Sequence, residues 1–126
     1  MHLYEDPQGE VSYRMLELLF TVDEALVHME QQLLELRLEE SLLLFQDVAT
    51  AIGSISASLL PLLKEEEDVL FLQTLSPLRE SISCLVDGYE QEDLQAVQTV
   101  LASRLRPAYR EWREEVERRL RPFVLT

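Results

Sequence analysis

A chain of 126 residues with 47% hydrophobic content is the size of one domain and can bury a core without disulfides or metals. Its formal net charge is −13, and residues 1–103 set four basic side chains against twenty acidic ones, so phosphate backbones and anionic lipid heads, which bind by cationic neutralisation, are excluded as first partners. The single cysteine, Cys84, forbids an intramolecular disulfide and fits a reducing, cytoplasmic compartment.

With three glycines, few aromatics and abundant Leu and Glu, the composition favours an all-α protein. The opening "MHLYEDPQGE" lacks the basic-then-apolar order of a signal peptide, and residues 1–9, punctuated by Pro7 and Gly9, read as a flexible lead-in. After it Val11, Met15, Leu18, Leu19, Val22, Leu26, Met29, Leu33 and Leu36 recur at spacings of three and four, which predicts an amphipathic helix of about seven turns. "RLEES" then offers Ser41 as a cap or bend.

From Leu42 to Leu63 the only charge is Asp47. The run is long enough to cross a membrane, but Gln46, Thr50, Ser54, Ser56 and Ser58 spread polarity along it and Pro61 sits near its end. A helix buried on most sides within a soluble bundle is the expectation. Its segment "AIGSISAS" places Ala51, Gly53, Ser54, Ala57 and Ser58 over two turns, and small side chains let backbones approach. They serve either tight packing inside the molecule or a groove that accepts a partner helix.

"KEEED" is a polar break and an acidic helix start, where carboxylates meet the positive helix pole. Val69, Leu70, Leu72, Leu75, Leu78, Ile82, Leu85 and Val86 follow at helical spacing, with Ser76-Pro77 either a kink or a new start. "DGYEQED" predicts a turn, with Gly88 suited to a left-handed helix terminus. The last helix turns Leu94, Val97, Leu101, Leu105, Ala108, Trp112, Val116 and Leu120 inward, bends at Pro107 and stops at Pro122. Trp112 should be the costliest side chain to truncate. The expected architecture is a single-domain antiparallel up-and-down four-helix bundle over residues 1–126, its last helix bent at Pro107. A shift of 52 residues lays Leu26 on Leu78, Leu33 on Leu85 and Leu42 on Leu94, a hint of two related hairpins.

Chemistry is sparse. Bundle metal centres take Glu from two helices and Glu-x-x-His from two more, whereas here Glu24 and His28 are four apart and form one weak pair. Cys84 has only Arg79 near it in sequence, and no Gly-rich turn marks a nucleophile or phosphate cradle. The chain reads as a non-enzyme without cofactor or metal.

The C-terminal "LRPAYREWREEVERRLRPF" holds six of the eleven basic residues. Arg110 with Glu114, Arg113 with Glu117, Glu114 with Arg118, Glu115 with Arg119 and Glu117 with Arg121 are four apart, which predicts a self-paired, solvated face. Arg106, Tyr109, Arg110 and Arg113 share a side and form a candidate self-association patch.

The pattern of "LLFTVDEALVHMEQQLLELRLEESLLLF" followed by "LVDGYEQEDLQAVQTVLASRL" resembles the small, acidic, Leu-rich four-helix export chaperones of flagellar and related secretion systems, and equally other bacterial helical bundles. The resemblance implies a non-enzymatic adaptor or chaperone that binds a protein partner, and it assigns no functional residue. The alternatives are a self-associating structural bundle, such as a homodimer, and, third, a metal-binding or enzymatic bundle.

Overall fold

The computed structural model describes residues 7–124. The chain is an all-α four-helix bundle. It comprises α1 (Pro7–Leu34), α2 (Leu38–Leu59), α3 (Glu65–Glu90) and a fourth helix assembled from α4 (Leu94–Val100), a π turn (Leu101–Leu105) and α5 (Arg106–Val124). α2 packs chiefly on α1 and α3 on the fourth helix, and the two hairpins join mainly along α1 and α5. Of the lead-in expected to be flexible, residues 1–6 lie outside the described residues; Pro7 already opens α1, a position where its missing N–H breaks no ladder bond.

The inward stripe of α1 is Met15, Leu19, Val22, Leu26, Met29 and Leu33. Val11 and Leu36, expected beside them, are 44% and 76% exposed. In α3 the register is set by Phe71, which is fully buried 6.4 Å from the Trp112 ring, and continues through Leu75, Leu78, Leu85 and Tyr89. Val69, Leu70, Leu72 and Val86, expected inward, face out because an apolar neighbour one residue off the stripe lies about 100° round the helix.

Both hairpin turns share one geometry. At the first, Leu36 takes a left-handed φ of 62°, its N–H donates to the Leu33 carbonyl at 3.1 Å, and the Arg37 N–H donates to the Gln32 carbonyl at 2.8 Å. At the second, Glu92 has φ 52°, its N–H donates to the Tyr89 carbonyl at 3.0 Å, and the Asp93 N–H to the Gly88 carbonyl at 3.0 Å. This double bond pattern is the Schellman termination, here without glycine at the left-handed site. Gly88, expected there, is helical and buried four residues earlier; a Cβ on it would stand 2.9 Å from Val97 Cγ2, so it is a point of close approach between α3 and α4. Ser41, expected as a cap or bend, lies within α2. Its hydroxyl donates to the Leu38 carbonyl at 2.7 Å and so accepts from Tyr89 Oη at 2.9 Å, while Phe45 stacks on the Tyr89 ring at 5.4 Å. These contacts tie α2 to α3 at the turn end of the bundle.

α3 opens as its acidic start predicts, with Glu65, Glu66, Glu67 and Asp68 in the first turn and the Glu67 carboxylate accepting from the Lys64 N–H at 2.9 Å. Pro77 neither starts a helix nor ends one: α3 runs through it from Glu65 to Glu90. Asp93 caps the fourth helix by accepting from the Ala96 N–H at 3.0 Å. The disturbance expected at Pro107 takes the form of the π turn just before it, where the Arg106 N–H reaches back five residues to the Leu101 carbonyl. A proline has no N–H to give and its ring crowds the carbonyl four residues earlier, here that of Ser103, so the ladder widens. The wider turn also corrects the stripe. Val97, Leu101 and Leu105 are spaced by four, each step drifting about 40° on an ideal helix, and one extra residue brings Ala108, Trp112, Val116 and Leu120 back to the core. Pro122 does not stop the helix, which continues to Val124.

Candidate interaction surfaces

Among the described residues no group of three or more His, Cys, Asp or Glu side chains could hold a metal ion. Glu24 and His28 are exposed on α1, beside a broad, open depression shared with Thr21, Ala25, Val27 and Gln31. Cys84 is half-buried at a shallow depression with Asp87, Gly88, Gln91, Asp93 and Ala96. The Arg104 guanidinium of the π turn donates to its Sγ at 3.0 Å. Sequence proximity pointed to Arg79; the actual neighbour comes from the opposite helix, twenty residues on.

The small residues of α2 separate into two faces. Ala51 is buried against the core, while Gly53, Ser54, Ala57 and Ser58 lie on the solvent side. Inward positions of α2 are Phe45, Val48, Ile52, Ile55, Ser56 and Leu59. The outward strip continues through Leu43, Gln46, Asp47, Thr50 and Pro61. A Cβ built on Gly53 meets no atom within 4 Å, so nothing among the described residues requires a glycine there. A mid-helix glycine costs about 0.5–1 kcal/mol relative to Ala, and here it returns no packing among the described residues. The expectation of a helix buried on most sides is therefore corrected. Leu38–Leu62 is long and apolar enough to cross a membrane by length and composition, and 33% of its most apolar stretch is buried. Ser54 and Ser58 also edge a shallow depression with Val11, Arg14, Met15 and Leu18 of α1.

The arginine patch dissolves into the fold. Arg106 donates to Glu30 of α1 at 2.6 Å, and Arg113 pairs with Asp23 of α1 and with Glu117. Tyr109 is 2% exposed, and its hydroxyl donates to the Leu19 carbonyl at 2.7 Å. Burial and the nearby Glu117 carboxylate push its phenol well above the ordinary tyrosine range. Only Arg110 of the four remains exposed and unpaired. The patch is thus a seam between α1 and α5, corrected by partners on another helix that sequence spacing cannot show.

Two of the five predicted rungs are realised. Arg113–Glu117 and Arg119–Glu115 form, whereas Arg110, Glu114 and Arg121 take no such partner. Instead Glu115, 6% exposed, holds both Arg118 and Arg119 at 2.6 Å, and Arg119 reaches Glu67 at the start of α3 at 3.1 Å. This interhelical network escaped the sequence reading, although the acidic start of α3 and the basic end of α5 are both legible as complementary poles. The indole of Trp112 is fully buried beside it, 5.8 Å from the Tyr109 ring, with no acceptor for its N–H among the described residues.

No curated protein and no solved structure matches this chain. Residues 10–115 match a family model described as a domain of unknown function, DUF8042; that span runs from the first turn of α1 to the middle of α5 and so covers the turns, the π turn and the outward face of α2, and the chain belongs to this family.

Proposed function

We propose that the protein is a non-enzymatic adaptor or chaperone-like module, acting in the cytoplasm by binding another protein through the outward strip of α2. The observation that carries this reading is Gly53, a helix-weakening residue in open space on a stretch, residues 43–61, whose one charge is Asp47, in a protein whose residues are 28% charged. Small side chains there let a partner helix come within backbone distance, and Ser54, Ser58 and Thr50 offer it hydroxyls. The same hydroxyls, with Gln46 and Asp47, favour a protein partner over acyl chains, in which every unsatisfied polar group is costly.

The test is affinity capture from the native cell with the intact chain and a Gly53→Leu variant, with circular dichroism confirming equal helicity. A protein retained by the natural chain and lost by the variant supports the reading; a partner set unchanged by Gly53→Leu refutes it. Self-association through the same strip is the second reading, favoured by the same bare face. It predicts a dimer in sedimentation equilibrium that Gly53→Leu splits.

A further inference from the structure

α1 presents a second exposed feature, on a different side from its contact with α2. Tyr13, Phe20, Val27 and Leu34 are spaced seven apart and are 39%, 61%, 54% and 71% exposed. A seven-residue period drifts only about 20° per repeat on an α-helix, so the four side chains form one shallow left-handed ridge along the length of α1. Such a ridge is followed by a second helix through supercoiling, one apolar side chain per heptad seating between those of its partner. At its upper end Leu34 joins Leu33, Leu101 and Ala102 in a depression of about 190 Å³ rimmed by Glu30 and Gln98, a receptacle for one large apolar side chain.

Charge decides what lies there. On the flank toward α5, Asp23 and Glu30 are already neutralised by Arg113 and Arg106. On the other flank Glu17 and Glu24, four residues past Tyr13 and Phe20, are exposed and take no cation. Among the described residues, Arg110, exposed between Arg106 and Arg113 on the α5 flank, takes no acid. A second copy of this chain, itself at −13, would bring like charge to this face. We infer that the α1 ridge is a docking site for a basic amphipathic helix of another protein, with apolar side chains at heptad spacing over Phe20, Val27 and Leu34 and Lys or Arg over Glu17 and Glu24. The inference concerns a surface separate from the α2 strip and stands or falls independently of it.

The experiment uses the full chain and two synthetic helical peptides of about four heptads, identical in their apolar positions and flanked either by Lys or by Glu. Fluorescence anisotropy should show binding of the Lys peptide alone, weakened at least about tenfold between low and high salt because exposed pairs are screened. A Phe20→Ser, Val27→Ser double variant, confirmed folded by circular dichroism, should lose binding by at least about tenfold, and Glu17→Gln with Glu24→Gln should flatten the salt dependence. Gly53→Leu should leave peptide binding unchanged, which separates this site from the α2 strip. Binding of neither peptide, equal binding of both, or unchanged affinity in the Phe20/Val27 variant overturns the inference. A dimer of the natural chain that the same variant dissociates overturns it in favour of a second copy.

Discussion

Leu36 and Glu92 occupy the same place in the same kind of turn, 56 residues apart, and the cores on either side keep that spacing. Met15 corresponds to Phe71, Leu19 to Leu75, Val22 to Leu78, Met29 to Leu85, Ser41 to Val97 and Phe45 to Leu101, each pair buried on both sides. Beyond the π turn the spacing becomes 57, with Val48 against Leu105, Ala51 against Ala108, Ile52 against Tyr109, Ile55 against Trp112 and Leu59 against Val116. The hairpins α1–α2 and α3–α5 thus share a plan along their cores, and the π turn supplies the one extra residue that shifts the spacing from 56 to 57. Their finish differs. In the second, Phe71, Tyr89, Tyr109 and Trp112 stand where the first has Met15, Leu33, Ile52 and Ile55, and Arg106, Arg113 and Arg119 of α5 are tied to Glu30, Asp23 and Glu67 on the neighbouring helices. In the first, the exterior of α2 has little charge and the exterior of α1 carries a bare apolar ridge. The second hairpin puts its distinctive side chains into stability; the first leaves them facing outward.

The largest effect that tests this contrast is truncation at the equivalent pair. Trp112→Ala should cost about 3–5 kcal/mol and Ile55→Ala about 2–5 kcal/mol, the former larger because Trp112 touches both Phe71 and Tyr109. Urea denaturation measures both, and a greater loss at Ile55 would break the claim that stability is concentrated in the second hairpin. Gly88→Ala comes next. Its new methyl meets Val97 where α3 and α4 approach most closely, so overpacking should destabilise the protein by about 1–3 kcal/mol even though Ala is the better helix former. Gln32, its counterpart in the first hairpin, is buried with a full side chain, so Gln32→Ala removes atoms where Gly88→Ala adds one, and the comparison of the two midpoints sharpens the assignment.

Much of this plan was legible in the sequence, and its failures are physical. The stripe Val97, Leu101, Leu105, Ala108, Trp112, Val116 and Leu120 was read off correctly, because period decides burial in a long amphipathic helix. The first turn was placed late, at Ser41, because its left-handed residue is a leucine and its bonds are all backbone, leaving no Gly or Pro to mark it. The 52-residue repeat was one helical turn short of the observed 56: apolar stripes recur every turn, so they match at either shift, and only the turns fix the register. For the surfaces, spacing placed Gly53, Ser54, Ala57 and Ser58 together, but exposure depended on how little of α2 the other helices cover. The arginines misled because their partners are distant in sequence.

A smaller effect concerns pH. Tyr109 and Tyr89 belong to the second hairpin, where their counterparts in the first are Ile52 and Leu33, which do not titrate. Burial pushes both phenols up, Tyr109 further with Glu117 nearby, while the Ser41 hydrogen bond pulls Tyr89 partly back. In the unfolded chain a tyrosine ionises near pH 10, and in this fold later, so the folded state binds the extra proton. The stability from these phenols is therefore full below about pH 10 and is lost as pH rises beyond it toward the folded values. Urea midpoints measured from pH 8 upward should fall above about pH 10, and Tyr109→Phe should flatten that fall while losing about 0.5–1.5 kcal/mol at neutral pH with its bond to the Leu19 carbonyl. An equally steep fall in the variant would place the alkaline sensitivity elsewhere.

The smallest expected change has the opposite sign and bears most directly on function. Gly53 and Gly88 are both helical, and a methyl that collides at Gly88 finds open space at Gly53. Gly53→Ala should therefore stabilise the protein by about 0.5–1 kcal/mol, the backbone entropy and propensity gain undiminished by any clash. If the glycine serves a partner's close approach, that same gain comes with weaker capture of whatever binds α2, since one methyl at a helix crossing holds two backbones apart. A stability rise with capture unchanged would leave the glycine without a binding role and remove the ground on which the first hairpin was assigned the functional face. A stability loss would mean that Gly53 is packed, and the contrast between the two glycines would fail with it.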